Sequence, residues 1–261
     1  MDIFNFDPAY FLGFLLTFIR MSIVLFMLPI YAVEGLPTQW KASFCLIITL
    51  AIYPAVGLPP ESMPAHPFAI ALTILGEIIL GLILSLAVQI FFAGIQAGGE
   101  LIAMQMGFSM MQFADPMSGN NVGVIAHMLF IVTSLIFLVF DGHIYLLRAF
   151  METYKNIPAG SLLITETIFN QIFLLANMLF TLAIKIIAPV LAAIFLVELG
   201  LAFMGRMAPQ MHIMELGFPL KILVGFFFLG SIFQMLALDI QTYVNNLDDL
   251  FLNLINAVVK K

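Results

Sequence analysis

The sequence predicts an all-α, polytopic membrane protein of about six long apolar helices in kinked hairpins, and three observations carry that prediction. Of 261 residues, 63% are hydrophobic and 9% charged, against about 25% charged residues in ordinary globular chains, so there is too little polar surface to face water. A helix crosses the bilayer core with about 20 apolar residues, and Ile78 to Gly99, Pro116 to Phe140 and Thr167 to Val197 reach that length, the last broken only by Lys185. Between the runs lie turn formers: Glu34-Gly35-Leu36-Pro37, the stretch 58–67 with four prolines, Ser118 to Gly123, and Asn156 to Ser161.

The segments follow in order. The first, 10–33, comes after an N-terminus with Asp2 and Asp7 and no basic residue. That is not the pattern of a cleaved signal peptide, so the span is expected to stay in the mature protein. The second, 42–58, holds the single cysteine, Cys45, which excludes an internal disulfide and reads as a buried thiol. The third and fourth cover 68–97 and 124–147. The fifth, 167–204, is long for one helix, and Pro189 within it removes a backbone donor, which allows a kink or a hairpin corner. The sixth is 218–240. Beyond it, Ile240, Val244, Leu247, Phe251, Leu254 and Val258 form one stripe with Gln241, Asn245, Asp248, Asp249, Asn253 and Asn256 opposite, an amphipathic helix. Its acidic polar face favours packing on a partner over lying on anionic lipid.

Basic residues do not orient the chain. Lys41, Arg206 and Lys221 fall on one side of the alternating loops, and Arg148, Lys155, Lys260 and Lys261 on the other. So weak a bias hints at helices whose final environment is an assembly. The net charge of -6 is spread thinly and makes no basic patch for nucleic acid.

Arg20, Glu77, Asp141, Lys185 and Glu198 lie within or at the ends of apolar runs, where an unpaired charge costs several kcal/mol. They read either as a proton or ion pathway or as structural pairs between helices or subunits. A pathway gathers acids and polar companions at one depth, and the sequence shows no such gathering. Gly94 and Gly98, flanked by Ala93 and Ala97, make a small-xxx-small face for close helix packing. Gly76 with Gly81, and Gly225 with Gly230, suggest the same less specifically. His66, His127, His143 and His212 are scattered without metal-ligand spacing, and no HExxH, GxxxxGK[ST], GxGxxG or GxSxG occurs. No catalytic residue, metal or cofactor is therefore expected.

The stretch Gly98 to Gly123, GGELIAMQMGFSMMQFADPMSGNNVG, is unlike the rest. Met104, Met106, Met110, Met111 and Met117 crowd around Phe108 and Phe113 before a break at Asp115-Pro116. It is too apolar for an ordinary loop and too broken for a clean span. Such backbone is tolerated at membrane depth where it is buried in protein or lines a cavity. Flexible, polarizable Met side chains can close on themselves and still deform around other side chains, forming a seal that stops ions by dewetting. The plainer reading is a Met-rich helix filling gaps in a core.

These residues together resemble the FliR/SctT family of type III secretion export gates. The matching positions are Arg20 with Pro29, Glu77 with Gly81, Gln96, Gly98, Gly99, Glu100, Gln105, Gly107, Asp115-Pro116, Gly142-His143, Pro158, Pro189, Glu198 and the stretch Arg206 to Lys221, RMAPQMHIMELGFPLK. The Asp-Gly-His at 141–143 looks more flagellar than injectisome-like. The resemblance implies a non-enzymatic bacterial inner-membrane subunit of the flagellar basal body. It would assemble with FliP and FliQ into a cone-like channel for unfolded flagellar proteins, with FlhB at the base and FlhA nearby. It implies a FliP-like part over 1–160, a FliQ-like hairpin over 161–240 and the amphipathic helix over 241–261. The family's plug loop falls at about 106–122, on Met106, Gly107, Phe108, Ser109, Met110, Met111, Gln112, Phe113, Ala114, Asp115, Pro116 and Met117. The charges Arg20, Glu77, Glu100, Asp141, Lys185, Glu198, Arg206 and Lys221 are then expected in pairs between subunits. The alternatives are a proton-coupled small-molecule transporter using Glu77, Asp141 and Glu198, or the injectisome member SctT.

Overall fold

The computed structural model describes residues 8–28, 31, 37–56, 66–108, 123–157, 166–207 and 213–259. Among them are eight α-helices and no strand: α1 (Pro8–Met27), α2 (Thr38–Val56), α3 (Pro67–Gln105), α4 (Val124–Val139), α5 (Gly142–Asn156), α6 (Glu166–Met207), α7 (Ile213–Asn245) and α8 (Leu247–Val259). Long apolar runs leave the backbone no solvent to bond with, and a helix satisfies every interior N–H and C=O within its own segment. Hydroxyls inside these runs follow the same rule. Thr17, Thr49 and Thr133 each donate to the carbonyl four residues back, at 2.8, 2.8 and 2.7 Å.

Helix boundaries depart from the expected segments in ways that have causes. α3, α6, α7 and α1 are each long and apolar enough to cross a membrane, and α4 with α5 adds a fifth span if the pair counts as one. Four of the six expected apolar segments thus form helices that qualify alone, the fourth segment qualifies as the α4–α5 pair, and α2 does not qualify among the described residues. The fourth segment is broken at Phe140-Asp141. Asp141 sits in the left-handed region at φ 57°, which Asp tolerates better than most residues, and its carbonyl receives the N–H groups of Ile144 and Tyr145 to begin α5. At Pro189 there is no corner. α6 runs through it for 42 residues, and the proline leaves only the Lys185 carbonyl without its helical donor. At 1.5 Å per residue α6 is about 63 Å long, twice the roughly 30 Å hydrocarbon core.

The contacts divide the chain into two units. The first holds α1, α2, α3 up to Gln89, α5, the start of α6 to Leu175, and α8. Within it α1 lies antiparallel to α2, since Tyr10 meets Tyr53 and Tyr31 meets Phe44. It lies parallel to α3, since residues 20, 23 and 27 face 77, 81 and 85. The amphipathic tail behaves differently from its sequence expectation. Its apolar residues Leu247, Phe251, Leu254 and Ile255 are buried, and Phe251 packs edge-on against Phe150 of α5 at 5.3 Å. The stripe from Leu247 on is covered by this chain itself, since α8 packs on α5 within the first unit.

The second unit holds α3 from Ile90, α4, α6 from Ala176 and α7 to Val244. α3 is its hub. It runs parallel to α6, with residues 94 and 98 facing 179 and 183. It runs antiparallel to α4, where Phe92 meets Phe137 and Gly99 meets Ala126, and antiparallel to α7, where Phe91 stacks on Tyr243 and Met106 meets Gly225. α6 and α7 form an antiparallel hairpin, with 185, 198 and 201 facing 239, 221 and 217.

Candidate functional site

The end of α3 is where the Met-rich stretch begins, and local chemistry stops the helix there. Gly107 has φ 87°, a conformation that costs a residue with a Cβ about 1–2 kcal/mol. Its N–H bonds to the Met104 carbonyl at 3.0 Å, and the N–H of Phe108 reaches the Ala103 carbonyl at 2.9 Å. This pair of bonds around a left-handed glycine is the Schellman motif, which satisfies the last carbonyls of a helix.

The stop brings three consecutive residues, two of them with side chains, against α7. Met106 is fully buried and fills the space that the missing side chain of Gly225 leaves: a Cβ at 225 would come within 2.6 Å of its Sδ and Cγ. A Cβ at Gly107 would meet the ring of Phe218 at 2.9 Å. Phe108 packs edge-on to Phe226 at 6.4 Å. Of the expected plug, Met106, Gly107 and Phe108 are therefore placed, and Ser109 to Val122 lies outside the described residues.

The same half of α3 carries the close-packing glycines. A Cβ at Gly94 would meet the Leu179 carbonyl oxygen at 3.0 Å, and one at Gly98 the Ala183 carbonyl oxygen and Ile186 Cβ at 3.2 Å. Both lie against α6. Gly99, not singled out for packing by its spacing, is tighter still: its Cβ would stand 2.7 Å from the Ala126 Cα of α4. Three glycines thus set how closely α4 and α6 approach the hub.

Five of the eight charged residues singled out by the sequence find partners within the chain. Arg20 and Glu77 are 1% and 2% exposed. Arg20 donates from Nε to Glu77 Oε2 at 2.5 Å and from Nη2 to Oε1 at 2.9 Å, and both its Nη atoms lie 3.3 Å from the Ile157 carbonyl. Its guanidinium also lies over the Tyr154 ring at 4.3 Å, while the Tyr154 hydroxyl donates to the Thr17 carbonyl at 3.1 Å. The pair is planar, bidentate and closed on the far side by a ring, the environment that suits a desolvated guanidinium. In the hairpin, Lys185 pairs with Asp239, and Lys221 with Glu198 at 2.5 Å. For Arg20, Glu77, Lys185, Glu198 and Lys221 a counterion is thus found within this chain, because adjacent helices bring acid and base face to face. Glu100 is half-buried, and Asp141 and Arg206 are exposed.

The sequence pattern does not reveal Tyr154 and the Ile157 carbonyl as partners of Arg20, 137 residues away for Ile157, nor Phe218 and Phe226 beside Gly107 and Phe108. Asp239, the partner of Lys185, stands near the end of the sixth apolar segment, 218–240. The signal for it in the sequence is an acid in one apolar helix and a lysine in the helix that forms a hairpin with it.

Four or five helices long and apolar enough to cross a membrane, a hub helix packed on three others, neutralised buried charges, and a Met-bearing helix end pressed into a neighbouring helix define the class: a multi-pass helical membrane protein. Among the described residues no group of His, Cys, Asp and Glu is arranged to hold a metal. The chain belongs to the bacterial export proteins, family 1, whose profile matches residues 11–247. It is 29% identical to the flagellar biosynthetic protein FliR of Escherichia coli (strain K12), over 80% of this chain and 79% of that protein. It is 28% identical to the protein of the same name from Bacillus subtilis (strain 168), over 83% and 84%. Yop proteins translocation protein T of Yersinia pestis is 29% identical over 67% of each chain.

Proposed function

We propose that this chain is a core subunit of a flagellar type III protein-export gate in the bacterial inner membrane. With FliP and FliQ subunits it forms the channel for unfolded flagellar proteins, with FlhB and FlhA as neighbours and no catalytic step of its own. Residues 1–160 act as its FliP-like part, and 161–240, which include the α6–α7 hairpin, as its FliQ-like part. The Met-rich segment from Met106 to Val122 plugs the conduit at rest.

The observation that carries this reading is the way α3 ends: a helix stop that sinks Met106 into α7 and sends the Met-rich segment on from a fixed point. A soft apolar constriction needs such an anchored base if it is to reseal after deformation. Two further features support an assembly. α6 and α7 expose Phe173, Phe195, Phe203, Leu223 and Phe227 along their lengths, and α6 is longer than a bilayer core can cover, so part of that apolar surface needs protein. The transporter reading is weakened because Glu77 and Glu198, two of its three acids, are engaged by Arg20 and Lys221. Deleting Met110 to Phe113 tests the plug. The expected result is ion leak and slowed growth with normal amounts of the protein in the membrane; a deletion strain as tight as wild type would remove the plug from the account.

A further inference from the structure

Glu100 stands on the side of α3 that the described helices of its unit leave open, and no cation among the described residues pairs with it. We propose that this side of α3, together with the adjoining edge of α4, receives a helix of a second subunit whose lysine or arginine pairs with Glu100. The proposal rests on the reading of the chain as an export-gate subunit, and it names the chemistry of one contact within that assembly.

Successive residues of a helix are turned by about 100°, which sorts the sides of α3. Phe92 and Gly99 face α4, Gly94 and Gly98 face α6, and Phe91 and Met106 face α7. Ala93, Gln96, Ala97, Glu100, Leu101 and Met104 fall on the remaining side, and each is half-buried or exposed. The polar edge continues onto α4. Gly99 meets Ala126, and because the two helices run antiparallel, the next residue of each, Glu100 and His127, turns to the same flank. His127 is exposed there.

Apolar side chains surround this strip: Leu101 and Met104 of α3 and Val124 and Ile131 of α4 are all exposed. A wall that water wets would be polar throughout. A single carboxylate in an apolar field is instead suited to the middle of a protein contact, where it is costly until a cation neutralises it. The unit has no such cation to give. Lys185 and Lys221 are engaged by Asp239 and Glu198. Gly98 meets Ala183 and Ile186, so Arg206 lies roughly 20 residues, about 30 Å, further along α6 than the level of Glu100. The stretch Ser109 to Val122 carries Asp115 and neither lysine nor arginine. The occupant is therefore basic at this point. Ala93 and Ala97, four apart, let the backbone of a helix come close, and Gln96 offers the same cation a carbonyl acceptor.

Ala97→Cys tests whether the side is covered. A water-soluble methanethiosulfonate should modify position 97 quickly in the full chain purified alone and slowly in the complex purified with FliP- and FliQ-like chains. The adduct is read at that position by peptide mass spectrometry, so the buried Cys45 does not interfere. Fast modification in both samples would show a wetted wall and overturn the proposal. Slow modification in both would show that this chain covers the side itself, and would overturn it equally. Leu101→Cys, one turn further on, gives the same reading should Ala97→Cys not assemble. The charge is tested separately. Glu100→Lys should lose the co-purifying chains at unchanged membrane abundance, and a lysine or arginine changed to glutamate in one neighbouring chain should restore them. Glu100→Lys that assembles and exports like wild type would overturn the pair. These outcomes leave the export-gate reading standing; that reading falls instead if the wild-type chain carries no FliP- or FliQ-like chain with it.

Discussion

Removing one partner of the Arg20–Glu77 pair should destabilise the first unit far more than removing both. Arg20→Ala takes the guanidinium from a carboxylate that is 2% exposed, and breaking a buried pair on one side costs about 3–5 kcal/mol. It also withdraws two donors from the Ile157 carbonyl, which closes the C-terminal end of α5. Glu77→Gln leaves the guanidinium its ring and carbonyl contacts but takes away its counterion, and falls in the same range. In Arg20→Met with Glu77→Met no buried charge remains, so the lost bonding of Ile157 is the main cost, about 1–3 kcal/mol. Independent effects would instead add to about 6–10 kcal/mol. Reversible unfolding of the purified protein in mixed detergent micelles, followed by Trp40 fluorescence, measures the cycle. A double variant as weak as that sum, or single variants within about 1 kcal/mol of wild type, would show that the pair does not carry the buried electrostatics of the unit.

Two other outcomes follow from backbone geometry. Gly99→Ala should reduce membrane abundance and thermal stability more than Gly98→Ala, because the new methyl meets the Ala126 Cα at 2.7 Å in one case and a carbonyl oxygen and movable side chain at 3.2 Å in the other; equal stability of the two would contradict the packing of α3 on α4. Gly107→Ala should lose about 1–2 kcal/mol from its left-handed φ alone, with added strain against Phe218, whereas Asp141→Gly, at φ 57°, should leave unfolding unchanged or slightly harder.

The sequence made the helical membrane class plain because composition and run length are local properties. Gly94 and Gly98 were legible as packing positions for the same reason: small residues four apart share a face. Pro189 was ambiguous, since a proline permits either a kink or a corner and only the packing of α6 on α3 selects the through-helix. Gly107 carried a readable signal, a glycine just past an apolar helical run, but a Schellman stop also needs Phe108 to turn back onto Ala103, which spacing does not reveal. The partners of Arg20 were hidden for a topological reason. α5 comes to α1 only after the chain has passed through α2, α3 and α4, so nothing near Tyr154 or Ile157 marks them as its shell.

The most direct measurement is the composition of the particle that contains this chain. Tagged at its C-terminus, extracted from membranes in mild detergent and weighed by native mass spectrometry, it should emerge bound to FliP- and FliQ-like chains in a fixed ratio. A stable particle holding this chain alone, able to move a small solute when reconstituted, would contradict the account.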